Sequence, residues 1–83
     1  PITRILSDEE YKIELEKKLY EEYQEVLESS GENRLEELAD MLEVMIALAN
    51  TQNASLEDII KIADKKRTKR GGFQEKIFLE NVK

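Results

Sequence analysis

Glu22 and Glu25 stand three residues apart, as do Glu37 and Asp40, and the two pairs lie on either side of Gly31. On a helix, residues three apart point to nearly the same side, so each pair is a two-pronged oxygen ligand. The inner members, Glu25 and Glu37, lie six residues from Gly31, and the outer members, Glu22 and Asp40, lie nine. If the flanking segments are antiparallel helices, Glu25 comes level with Glu37 and Glu22 with Asp40. The set begins roughly 9 Å from the turn at a rise of about 1.5 Å per residue. Packed helices lie about 8–10 Å apart, a gap that carboxylate side chains span.

Such an arrangement is a cage for a hard divalent cation. Oxygen-only ligation selects magnesium, calcium or manganese over softer metals. Magnesium suits it best, with Mn2+ as a substitute, because magnesium is commonly held by a few carboxylates and bridges to substrate phosphates. Without a cation four close carboxylates repel one another, which predicts that some hold protons at neutral pH. A lone acidic stripe on a Glu-rich helix is ordinarily a solvated face; opposed pairs on two arms are what single these residues out. The chain has no histidine and no cysteine, so the usual zinc and haem sets, and the Glu-x-x-His ligands of a di-iron bundle, cannot be built.

Helices must position the four acids, and the sequence supplies them. Ser7-Asp8-Glu9-Glu10 is a capping box that starts a first helix. Tyr11, Leu15, Leu19, Tyr23, Val26 and Leu27 follow as an apolar stripe to about Glu28, and Ser29-Ser30-Gly31 is the stop. Asn33 with Glu36 suggests a second cap, and Leu35, Leu38, Leu42, Met45 and Ala49 are the expected core of helix two. From Val44 to Ala49 the chain is apolar all round, which a two-helix hairpin cannot bury, so the end of helix two predicts a subunit interface. After the polar break Asn50-Thr51-Gln52-Asn53, Ser55 with Asp58 opens a third helix that runs into Lys65-Lys66-Arg67-Thr68-Lys69-Arg70 and Gly71-Gly72. Ile77, Phe78 and Leu79 in the tail are expected to pack on something.

The reading is a single all-α domain over residues 1–83: an antiparallel helical hairpin plus a third helix, completing a four-helix-type bundle by oligomerisation. Eighty-three residues with no disulfide bury too little apolar surface to be comfortable alone. Charged residues make up 39% and hydrophobic ones 40%, a balance that suits a helical protein rather than a disordered tail. No apolar run reaches membrane-spanning length and nothing resembles a signal peptide, so we expect a cytoplasmic protein with no membrane partner. The chain begins at Pro1 without a methionine, and a natural segment ahead of it is expected.

The net charge of −6 is unevenly spread. Residues 7–43 hold fourteen acidic and four basic groups, whereas residues 61–70 hold six basic and one acidic. An acidic half and a short basic segment suit one ligand that brings both metal and phosphate. The overall negative charge argues against nucleic acid as the partner.

Glu21-Glu22-Tyr23-Gln24-Glu25 followed by Glu37-Leu38-Ala39-Asp40 resembles the Glu-Glu-x-x-Glu and Glu-x-x-Asp motifs of the MazG-like all-α nucleotide pyrophosphohydrolases. That superfamily also includes phosphoribosyl-ATP pyrophosphohydrolase and dimeric dUTPases. The likeness runs from Ser7 to about Leu79, and Lys69-Arg70-Gly71-Gly72-Phe73 looks like an Arg-Gly-Gly-Phe segment of one subgroup. That subgroup carries a further N-terminal segment with a Leu-Val-Arg-Asp-Lys-Ile-Pro-like stretch.

The resemblance implies cleavage of a nucleoside triphosphate or similar nucleotide between the α and β phosphates, giving monophosphate and pyrophosphate. It also implies magnesium held by Glu22, Glu25, Glu37 and Asp40, Glu21 as a neighbouring or base candidate, and a homo-dimer or homo-tetramer built as a four-helix bundle. Lys18, one turn before Glu22, is placed to reach a phosphate or to pair with Glu14, Glu21 or Glu22. Lys69 and Arg70 suit a phosphate contact or the neutralisation of a helix end. Tyr20 and Phe73 are the candidates for stacking on a base, while Tyr11 and Tyr23 fall on the core stripe. The competing interpretation is a non-enzymatic oligomerisation or adaptor bundle whose acidic faces only solubilise it.

Overall fold

A computed structural model describes residues 5–71, which form three helices and, among the described residues, no strand. Helix α1 spans Asp8–Glu28, α2 spans Gly31–Asn50 and α3 spans Leu56–Arg70. Phe73 and the Ile77-Phe78-Leu79 stretch lie outside the described residues.

Each boundary has a local cause. The Ser7 hydroxyl accepts from the Glu10 amide at 3.2 Å while the Ser7 amide donates to Glu10 Oε1 at 3.0 Å, so the capping box forms as expected. At the far end the Ser29 amide and hydroxyl both donate to the Val26 carbonyl, at 3.3 and 2.9 Å. Ser29 and Ser30 are extended, and Gly31 takes φ +60°, reversing the chain in two residues. Helix α2 therefore starts before the expected Asn33 cap: its N-cap is Ser30, which makes no side-chain capping bond.

The Thr51 hydroxyl donates to the Leu48 carbonyl at 2.6 Å, and Asn53 at φ +60° completes the break before α3. Ser55 and Asp58 form a second capping box, with bonds of 2.9 and 3.2 Å. The α3 C-terminus closes on Gly71 at φ +79°, with Arg67, Lys69 and Arg70 in its last turn, where cations offset the carbonyl end of the helix dipole.

Helices α1 and α2 form an antiparallel hairpin. Tyr11 and Lys12 near the start of α1 share a groove with Ala47 and Asn50 at the end of α2, while Glu25 and Glu37 meet near the turn. The groove has a volume of about 470 Å³ and lies at the opposite end of the hairpin from the carboxylates. Helix α3 packs on α2 and not on α1, and none of its residues is buried. No helix among the described residues is long and apolar enough to cross a membrane.

The stripe that joins the hairpin corrects the expected one. On α2 the inward residues are Glu37, Met41, Val44 and Leu48, of which Val44 is buried, whereas Leu35, Leu38, Leu42 and Met45 are exposed. On α1, Val26 is buried and Leu15 and Leu19 are half-buried, but Tyr11, Tyr23 and Leu27 are exposed rather than core. Val26 and Val44 are the two buried hydrophobic side chains among the described residues, and the third buried residue is Glu22.

Candidate metal centre

Glu22 sits four residues before Val26 and seven after Leu15, in the middle of the α1 stripe that meets α2. Two helical turns of apolar neighbours thus carry a carboxylate into the seam, and only 5% of Glu22 remains exposed. Across the seam Glu37, half-buried, comes from α2, and Glu25 lies one turn beyond Glu22. One carboxylate oxygen from each of Glu22, Glu25 and Glu37 lies within 4.8 Å of the others. Asp40, the fourth expected ligand, is exposed and stands outside this group of three.

The electrostatics follow from the crowding. The Glu25 carboxyl is pushed above its ordinary value, first by a hydrogen bond with Glu22 and the Glu22 charge, then by the charge of Glu37. A proton on Glu25 lets one acid donate to its neighbour instead of repelling it. Lys18 Nζ lies 3.2 Å from Glu22 Oε1 and 3.8 Å from Glu21. The same Glu22 contact holds the Lys18 ammonium above its ordinary value. Of the pairings open to Lys18 in the sequence, those with Glu21 and Glu22 form, while Glu14 takes Lys17 at 3.2 Å.

One atom is left over: Glu22 Oε2 is buried without a hydrogen-bond partner. A buried carboxylate oxygen in that condition costs free energy unless a cation reaches it. Three carboxylate oxygens within 4.8 Å of one another fit one coordination sphere. That sphere is about 4.2 Å across for magnesium and about 4.6–5.2 Å for calcium. Magnesium requires the acids to close slightly, a shift within reach of the exposed Glu25 side chain. The donor set and the orphaned oxygen both fit a hard cation.

The remaining expected site residues divide by element. Glu21 is exposed beside Lys18. A shallow depression of about 340 Å³ adjoins the carboxylates through Lys18 and Glu21 and continues over Lys17, Leu15, Tyr11 and Leu6. Tyr20 is exposed and its ring centroid lies 6.4 Å from that of Tyr23. Lys69 is exposed and Arg70 half-buried at the end of α3, which does not touch α1. The burial of Glu22 was missed by the sequence reading, although its place between Leu15, Leu19 and Val26 at heptad spacing is a signal that points to it. No protein-family model, curated protein or solved structure matches the chain.

Proposed function

We propose that the chain is a magnesium-dependent nucleotide pyrophosphohydrolase that cleaves a nucleoside triphosphate or related nucleotide between the α and β phosphates. The observation that carries this reading is the convergence of Glu22, Glu25 and Glu37 from two helices around a buried, unpartnered Glu22 oxygen. Glu22, Glu25 and Glu37 would hold the cation, with Asp40 joining by a side-chain movement, and Mn2+ would substitute for Mg2+. When bound, magnesium neutralises phosphate charge and makes a water easier to deprotonate.

The chain's own groups supply the rest. Lys18, whose exposed ammonium lies 3.2 Å from Glu22 and lines the adjoining depression, would meet a phosphate oxygen there when Glu22 serves as a metal ligand. Glu21 or a carboxylate of the cluster takes the proton given up by water as its oxygen joins the α-phosphorus. The bond from that phosphorus to the bridging oxygen breaks, and pyrophosphate leaves with the electron pair. Lys69, Arg70 and Phe73 belong to this reading as substrate contacts, together with a cytoplasmic setting and assembly into a dimer or tetramer. Because α3 stays clear of α1, its cations reach the carboxylates by a swing of α3 or from another copy.

The rival reading, a non-enzymatic oligomerisation or adaptor bundle, is favoured by the exposed apolar stripe on α2. The two are separated by incubating the chain with a panel of ordinary and damaged nucleoside triphosphates, with magnesium or chelator, and scoring pyrophosphate. Magnesium-dependent pyrophosphate release from at least one nucleotide is the expected result. No release from any of them, with no thermal stabilisation by millimolar magnesium, would reject the hydrolase reading in favour of the adaptor.

A further inference from the structure

Tyr11, Lys18 and Glu25 recur at seven-residue steps along α1. They therefore lie within about 40° of one another around the helix, each about 10 Å from the next along it. The carboxylate at one end of this line belongs to the metal centre, and Lys18 stands in the middle. At the other end Tyr11, 45% exposed, lines the depression of about 340 Å³ that begins at Lys18 and Glu21 and runs over Leu15 to Leu6.

The depression changes character along its length. Beside the carboxylates it presents the Lys18 ammonium; toward the start of α1 its floor is apolar, made by half-buried Leu6 and Leu15 and by the Tyr11 ring. Lys17 and Glu14, which also line it, pair with each other at 3.2 Å, so this end offers no net charge to a phosphate. A flat, uncharged ring finds aliphatic side chains and an aromatic face there. The volume suits one small organic group. Lys18 and Tyr11 are about 10 Å apart along the helix, the reach of a sugar and a base beyond the phosphate that carries them. Among the described aromatic side chains Tyr11 alone lines this depression. Tyr20, nine residues further on, lies half a turn away on the opposite side of α1, where it meets Tyr23.

We propose that the apolar end of the depression is a nucleobase subsite in which Tyr11 stacks on the base. The inference rests on the nucleotide reading and gives the bound nucleotide a direction: base toward the start of α1, phosphates at Lys18 and the carboxylates, departing pyrophosphate toward the turn at Gly31. It also narrows the substrate class. Strong discrimination between bases needs buried polar groups that the wrong base leaves unpaired, and every polar residue lining this depression is exposed. Stacking accepts any base, because each has a π-face. The subsite therefore selects an aromatic group at a set distance from a phosphate chain, not one particular base.

The test is calorimetric titration of the intact chain with magnesium in excess. The probes are the α,β-methylene analogues of the four common ribonucleoside triphosphates, which resist cleavage at that bond, and inorganic tripolyphosphate, which has no base. The parent is expected to bind the four analogues within about tenfold of one another. Tyr11→Ala is expected to weaken all four by about tenfold while leaving tripolyphosphate binding unchanged, and Tyr11→Phe, which keeps the ring, to match the parent. Because the chain has no tryptophan, Tyr11→Trp supplies a direct readout: its fluorescence is expected to be quenched by the analogues and not by tripolyphosphate. Parent-like affinity of Tyr11→Ala for the analogues, or an equal loss of analogue and tripolyphosphate binding, overturns the subsite and leaves the hydrolase reading standing. A parent that binds one analogue more than a hundredfold tighter than the other three overturns the base tolerance. A parent that binds neither the analogues nor tripolyphosphate overturns both readings.

Discussion

Replacing Glu22 by leucine tests whether the carboxylate is held in the seam for binding rather than for folding. In the parent, Glu22 is 5% exposed and its Oε2 has no hydrogen-bond partner, a condition that costs about 1–3 kcal/mol. Leucine removes that cost, fills a similar volume, and extends the apolar run of Leu15, Leu19 and Val26. Against this stand the lost hydrogen bond with Glu25 and the lost pairing with Lys18, whose side chain is 55% exposed; both partners are exposed, so solvent screens the two contacts and their loss subtracts little. Glu22→Leu is therefore expected to be more stable than the parent by about 2 kcal/mol in chelator, a rise in Tm on the order of 10 °C for a domain of this size. With magnesium the order reverses in kind. A cation present at 100 times its dissociation constant stabilises the parent by about 2.7 kcal/mol, while the variant, lacking the central ligand, gains almost nothing. Thermal melts followed by circular dichroism, with and without magnesium, measure all four states. A Glu22→Leu chain less stable than the parent in chelator would refute the energetic reasoning, and equal magnesium stabilisation of both would refute the ligand assignment.

Glu37→Ala or Asp40→Ala is expected to abolish magnesium-dependent pyrophosphate release while leaving the far-ultraviolet circular dichroism unchanged; full turnover in either variant removes that residue from the site. Because the Glu25 carboxyl is held above its ordinary value, the folded chain without metal binds a proton more tightly than the unfolded one. Its contribution is fully present below the ordinary carboxylate range and is lost as pH rises through the raised value. Denaturant midpoints in chelator should therefore fall over that window, and Glu25→Gln should flatten the fall. Ser55→Ala removes a capping box with bonds of 2.9 and 3.2 Å and is expected to cost α3 about 1 kcal/mol, read from its amide exchange.

The helices and their ends were legible in the sequence because capping is local chemistry. Ser7 with Glu10 and Ser55 with Asp58 needed no tertiary information. The one cap misplaced, Asn33, yielded to Ser30 because Gly31 at positive φ lets α2 begin at once. The faces were harder. Helix α2 bears two apolar stripes, and the more hydrophobic one, Leu35 to Met45, reads as core; the one that meets α1 includes Glu37 and was passed over. Hydrophobic periodicity reports that a face is covered, not which neighbour covers it. The carboxylates were found by their spacing about Gly31, and three of the four converge. The burial of Glu22 depended on which stripe faces inward, so it became visible only when the two helices were placed together.

Helix α3 joins the hairpin through residues 51–54, touches α2 alone among the described helices and buries none of its side chains. Its two ends are nevertheless well closed, by Ser55 and by Gly71. A segment with sound local hydrogen bonding and little tertiary anchorage opens as a unit, well below the free energy of global unfolding. The amides of Leu56–Arg70 should then exchange with solvent as one cooperative block while those of the hairpin remain protected. The block carries most of the positive charge near this end of the chain, so each opening moves a polycation relative to a fixed acidic hairpin. Rising ionic strength weakens the pull between them, which makes the resting position of α3 a property of the surrounding salt as much as of the fold.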